Sequence, residues 1–150
     1  MRNGIESGVI PADRPFAKEI NEAASVSDFS AFLVSSIQTN ETNAMRDAAT
    51  IVSYDGGHGV MQLTATFPPN WDDPYANILY AIDNYLEPAE TYWAKEVQGD
   101  DLVRCIAAEY NAGRGAAIRG HEEGNVDKYT TDGYASRALA TYLSLTQPKE

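Results

Sequence analysis

Apolar residues recur along this chain at helical spacing, in stripes separated by short polar breaks marked by glycine or proline. Pro15 suits a first helical position, and Phe16, Ile20, Ala23 and Ala24 share one face, so a helix is predicted from about residue 14. Residues 25–27 interrupt it. Ser27 or Asp28 is read as the cap of a second helix, with Phe29, Phe32, Leu33, Ser36 and Ile37 on one face, running towards Asn40 and Glu41. Residues 42–58 read as loop with one turn of helix near Met45 to Ala49. Thr50-Ile51-Val52-Ser53-Tyr54 is strand-like in composition, and Val60-Met61-Gln62-Leu63-Thr64 follows a glycine turn, so a small β-element is expected here. Asp73-Pro74 starts a third helix striped by Ile78, Leu79, Ile82, Tyr85 and Leu86, which Pro88 ends or kinks. A further segment reaches about Val97. Asp100 or Asp101 caps the next helix, which passes Leu102, Ile106 and Ala108 and stops at Gly113. A Gly-rich loop is expected over residues 119–127. The last helix carries Tyr134, Ala138, Leu139, Tyr142 and Leu145.

The pattern predicts a mostly α, α+β chain: one helical domain over residues 14–146, an extended arm over 1–13 and a tail over 147–150. Its 150 residues suffice for one real core, and a 43% hydrophobic content is ordinary for a globular protein. The formal charge of −11 changes the picture more. Nucleic-acid affinity is carried by Lys and Arg, so this surface argues against DNA or RNA as a partner, and equally against an electrostatic grip on an anionic membrane. The longest clean apolar run, Ala31-Phe32-Leu33-Val34, is far too short to span a bilayer, so no membrane insertion is expected. The single cysteine, Cys105, excludes an internal disulfide and a cysteine zinc site. Set in a helical stripe, it reads as a small buried apolar residue. His58 and His121 are isolated, and neither a metal nor a cofactor is expected.

The chemistry is concentrated in residues 41–62. Glu41 stands about one turn beyond Ile37, at the edge of a buried stripe. A carboxyl half in and half out of an apolar surface is pushed up in pKa, which suits a general acid near neutral pH. Asp47 and Asp55 follow, and Gly56-Gly57-His58-Gly59 is a turn that lets other groups approach a ligand. One rigid acid, with or without a second carboxylate beside it, is the geometry a glycosidase needs, and the plainer reading of the stretch is a solvated acidic loop.

Three strings carry a resemblance: Glu41-Thr42 after an apolar helix, then Gly59-Val60-Met61-Gln62-Leu63-Thr64, then Ala108-Glu109-Tyr110-Asn111-Ala112-Gly113. In this order they resemble the lysozyme-like superfamily of goose-type lysozymes and soluble lytic transglycosylases. Asp73-Pro74 with Asn77-Ile78 and Tyr85-Leu86, and Thr130-Thr131-Asp132-Gly133-Tyr134-Ala135, look like two further parts of that pattern, so it covers roughly residues 16–146. Val60 replaces the usual leucine. Glu109 replaces a usual small residue and adds negative charge near the expected cleft. The long 41–59 loop and Asp55 just before the glycine turn are closer to the goose type.

The resemblance implies cleavage of the β-1,4 bond between N-acetylmuramic acid and N-acetylglucosamine in peptidoglycan, with Glu41 as general acid. In an inverting hydrolase a second carboxylate, Asp55 or else Asp47, activates water from the opposite face, with the two carboxyls roughly 6.5–9.5 Å apart. In a lytic transglycosylase Glu41 works alone and the muramic acid C6 hydroxyl attacks, giving a 1,6-anhydro product. Gln62, Met61, His58, Tyr110, Asn111 and Tyr134 are the expected substrate-side residues. Gln62 is equally readable as a structural turn contact, and Met61 and Tyr134 as core. The rival classes on the same fold are a non-catalytic saccharide-binding module and a phage structural protein. Met1 to Ile10 shows no basic region followed by an apolar run, so no export signal is expected there. Action on the bacterial wall, from the periplasmic or outer side, would then fit a phage-encoded lysin or a domain of a larger protein.

Overall fold

The computed structural model describes residues 1–147. Its helices are α1 (Ala17–Val26), α2 (Ala31–Glu41), α3 (Pro74–Ala81), α4 (Glu87–Trp93), α5 (Gly99–Ala112), α6 (Arg114–Glu122) and α7 (Tyr134–Thr146), with a π-helical turn, Ile82–Leu86, joining α3 to α4. More than half of the chain is helical, in a single domain. Helix α5 lies at the centre: it packs against α4, α6 and α7, while α2 packs against α7 and α1, and α1 against α3. Leu102, Val103, Ile106, Ala107 and Ala108 of α5 and Leu33, Val34 and Ile37 of α2 are fully buried, as their helical spacing predicts. Cys105 joins them, and burial pushes its thiol up to about 12, so it stays an unreactive thiol.

Several boundaries differ from the sequence reading for local reasons. Helix α1 starts at Ala17 because Phe16 adopts a left-handed conformation (φ 55°). Asp28 is also left-handed (φ 50°), and the Phe29 amide bonds back to the Ala24 carbonyl (2.9 Å) to close α1. The cap of α2 is therefore Ser30, whose hydroxyl accepts from the Leu33 amide (3.2 Å), rather than Ser27 or Asp28. Asp73 does cap α3, accepting from the Ala76 amide at 2.9 Å, with Pro74 in the first turn. Pro88 neither ends the helix nor breaks it. The proline ring would crowd the carbonyl four residues back, and the wide Ile82–Leu86 turn, closed by the Glu87 amide on the Ile82 carbonyl, takes up the misfit.

Of the loop expected over residues 119–127, the first part, up to Glu122, belongs to a helix, and the rest is turn. Gly113 (φ 90°) ends α5 and α6 starts at once. Gly120 serves close packing rather than flexibility: a Cβ there would stand 2.7 Å from the Asn125 carbonyl oxygen. Where the β-element is expected, Val52 bridges His58 and His58 bridges Leu63, and no longer strand forms among the described residues.

Residues 1–13, read as an extended arm, contain no helix but are seated on the body. Ile5 and Ile10 are buried in the core. Arg2 pairs with the buried Glu90 carboxylate at 2.7 Å, and the Gly99 amide donates to the Asn3 carbonyl. Of the tail assigned to 147–150, residues 148–150 lie outside the described residues. No helix among the described residues is long and apolar enough to cross a membrane.

Candidate active site

Glu41 is the last residue of α2, half-buried, and faces a cleft of about 120 Å³ lined also by Asp55, Gly57, Gln62, Leu63, Thr64, Tyr85, Tyr110 and Asn111. Those residues come from the end of α2, the 50s turn, the wall at 62–64, the π-turn and the end of α5, so the cleft is made where five segments meet. The carboxyl is held from behind. Tyr134, at the start of α7, donates its hydroxyl to Glu41 Oε2 at 2.5 Å. Burial is the main force on Glu41 and raises it from its ordinary 4.5 to about 7. The Tyr134 hydrogen bond and the Arg137 cation oppose that rise, and the negative charge of Asp55 adds to it. Glu41 therefore holds its proton for much of the neutral range.

Asp55 has the opposite environment. It is exposed, and its pKa is lowered chiefly by the Ser53 hydroxyl, with the Gly57 amide assisting. One carboxyl of the cleft is thus poised protonated and the other ionised. Gly57 leaves room for two neighbouring side chains: a Cβ there would lie 2.3 Å from Gln62 Oε1 and 2.8 Å from Ser53 Oγ, and would displace both.

The wall of the cleft is fixed by buried polar contacts. Asn77, fully buried on α3, accepts from the Met61 amide (2.9 Å) and donates to the carbonyls of His58 and Trp71 (both 3.0 Å). Thr42, directly after Glu41, donates to the Val60 carbonyl at 2.7 Å and so ties the acid's own backbone to the wall. Tyr110 donates to the Met61 carbonyl. Gln62 is left-handed (φ 53°), which costs about 1 kcal/mol, and its side-chain amide reaches the Gly59 carbonyl at 3.0 Å. Burial, with Glu41 adding to it, holds the Tyr110 and Tyr134 hydroxyls well above the usual tyrosine range, so both donate as neutral phenols.

The structure brings Glu41, Asp55, Gln62, Tyr110 and Asn111 to one cleft. It places Tyr134 behind Glu41 and Met61 and His58 elsewhere. The Met61 side chain is fully buried, and only its backbone serves the wall. His58 is a strut: its Nδ1 lies 2.7 Å from the Gly56 carbonyl, and its ring stacks on Phe67 at 3.9 Å with Trp71 edge-on. Neither of these two side chains, both expected on the substrate side, lines the cleft. Asp47 is exposed and does not line the cleft. Glu109 adds no free charge there, because it accepts from Trp93 Nε1 (3.0 Å) and pairs with Arg114 (2.9 Å).

Tyr85, Asn77, Thr42 and Arg137 are site residues that sequence reasoning misses. Each lies beside or within one of the motifs, but its partner is remote along the chain, and spacing gives no sign of that. Among the described residues no group of three or more His, Cys, Asp or Glu side chains could hold a metal ion. The arrangement can give a proton from Glu41 and accept one at Asp55, across a polar cleft. Neither a family model nor a curated protein sequence matches this chain.

Proposed function

We propose that this protein is a muramidase that cleaves the β-1,4 bond between N-acetylmuramic acid and N-acetylglucosamine in peptidoglycan, acting on the bacterial cell wall. The observation that carries the reading is Glu41: a half-buried carboxyl raised to about 7, gripped by Tyr134 and opening on a polar cleft. The substrate class rests on the motif resemblance, and with it the lysozyme-like fold and its small β-element. Glu41 protonates the glycosidic oxygen as the bond to C1 breaks. Asp55, ionised and on the same cleft, takes a proton from the water that attacks C1 from the opposite face. The split between one raised and one lowered carboxyl favours this hydrolytic reading.

The alternative is a lytic transglycosylase, in which Glu41 returns as base for the muramic acid C6 hydroxyl and Asp55 is dispensable. The exposure of Asp55 is what supports it. Mass spectrometry of muropeptides released from purified peptidoglycan separates the two. Products with reducing ends are expected. Products lighter by one water would establish the transglycosylase, and no release from several wall types would move the assignment to a binding or structural role.

A further inference from the structure

The wall of the cleft is clamped at both ends by tyrosine hydroxyls, and only one of the clamps is near Glu41. Tyr110 holds the Met61 carbonyl. At the far end Tyr85 meets Thr66 three times at 2.9 Å: its hydroxyl accepts from the Thr66 amide, donates to the Thr66 carbonyl, and contacts Thr66 Oγ1. The two rings touch edge to face, with centroids 6.0 Å apart. Between the clamps run Gln62, Leu63 and Thr64, which line the cleft.

Tyr85 reaches this position from the Ile82–Leu86 π-turn. Each residue turns an α-helix by about 100°, so the residue inserted by a π-turn changes the direction of the side chains on it relative to the helix on either side. The hydrophobic stripe of α3 runs on to Leu86, which stays fully buried, while Tyr85 is only half-buried and aims its hydroxyl outward at residue 66. We propose that Tyr85 is a positioning residue for the glycan: its hydroxyl fixes the outer end of the cleft wall, and the π-turn is the device that brings it there. The proposal rests on the muramidase reading for its ligand, and on the Tyr85–Thr66 geometry for its mechanism. Tyr85 does not touch the reacting atoms. A loosened wall weakens saccharide binding and leaves proton transfer from Glu41 unchanged.

The test is Tyr85→Phe, which keeps the ring against Tyr110 and deletes only the hydroxyl. Tyr80→Phe is the control, since the Tyr80 ring neighbours Tyr85 (6.3 Å) while its hydroxyl makes no hydrogen bond among the described residues. Amide hydrogen exchange by NMR should rise about tenfold or more at Thr66 in Tyr85→Phe, with α5 unchanged. On solubilised peptidoglycan, KM should rise about fivefold or more with kcat within about twofold and its pH profile unmoved. Tyr80→Phe should change neither readout. Unchanged exchange at Thr66 overturns the clamp. Raised exchange with an unchanged KM overturns the positioning role. If the wild-type protein releases nothing from peptidoglycan, the muramidase reading and the glycan role fall together, and the exchange measurement still decides whether the clamp exists.

Discussion

Replacing Glu41 by glutamine should remove activity and make the protein more stable at alkaline pH. The magnitude follows from the environment of the carboxyl. Its folded pKa is about 7 against an ordinary 4.5, mainly because burial disfavours the charge. At about 1.4 kcal/mol per tenfold change, the ionised form costs the folded state roughly 3 kcal/mol. The sign is that of a raised carboxyl. Below pH 4.5 both folded and unfolded chains hold the proton and nothing is lost. As pH rises the unfolded chain releases its proton first, so stability falls until the folded carboxyl also ionises, near 7. Glutamine keeps the shape and can accept the Tyr134 hydrogen bond, but it does not titrate. Urea unfolding of both proteins from pH 4 to pH 9 measures the difference. The gap in unfolding free energy should widen in favour of Glu41→Gln by roughly 3 kcal/mol across the window from 4.5 to about 7, then level off. Parallel curves would refute the claim that Glu41 is held protonated by the fold. A widening gap together with retained cleavage by the variant would leave the pKa argument intact and remove Glu41 from the chemistry.

Tyr134→Phe deletes the hydrogen bond that holds Glu41 down, so the alkaline limb of kcat/KM should move up by about one pH unit; a downward shift would contradict the assigned proton donor. Asp55→Asn should abolish water-dependent cleavage, which release of reducing ends measures, and should also lower the pKa of Glu41 by removing a neighbouring charge. Undiminished release would shift the assignment to the transglycosylase. Asn77→Ala strips three buried hydrogen bonds from the wall and should cost about 3 kcal/mol, seen as a fall in Tm of roughly 10 °C; a change of a degree or two would show that the network is not what holds residues 58–61.

Much of the helical frame is legible in the sequence because local physics governs it. The stripes of α2, α5 and α7 are core faces because a helix with one apolar side must bury it. Asp73-Pro74 and Gly113 mark boundaries because their preferences act within one turn. The same locality explains the failures. Gly120 reads as loop, yet it lies in α6, because the contact that makes a side chain intolerable there comes from residue 125. Residues 1–13 read as an arm, yet their partners, Glu90, Gly99 and Tyr142, are distant in sequence.

The candidate site divides along the same line. An acid at the end of an apolar helix, followed by a second acid and a glycine turn, could be read directly from the sequence, because those facts are written in adjacent residues. Glu41 is raised only in the packed fold, since desolvation depends on what covers a carboxyl, whereas Asp55 is lowered by its near neighbours Ser53 and Gly57 once the turn brings them to it. Only the tertiary structure decided that Tyr134, 93 residues from Glu41, supplies the hydrogen bond. Met61 and His58 were drawn into the site by their motifs and removed from it by packing: a side chain's neighbours along the chain do not tell which way it points once the backbone turns at Gly56 and Gly59. Tyr85 went the other way, from helix stripe to cleft wall, because a π-turn changed the direction that a regular helix would have given it.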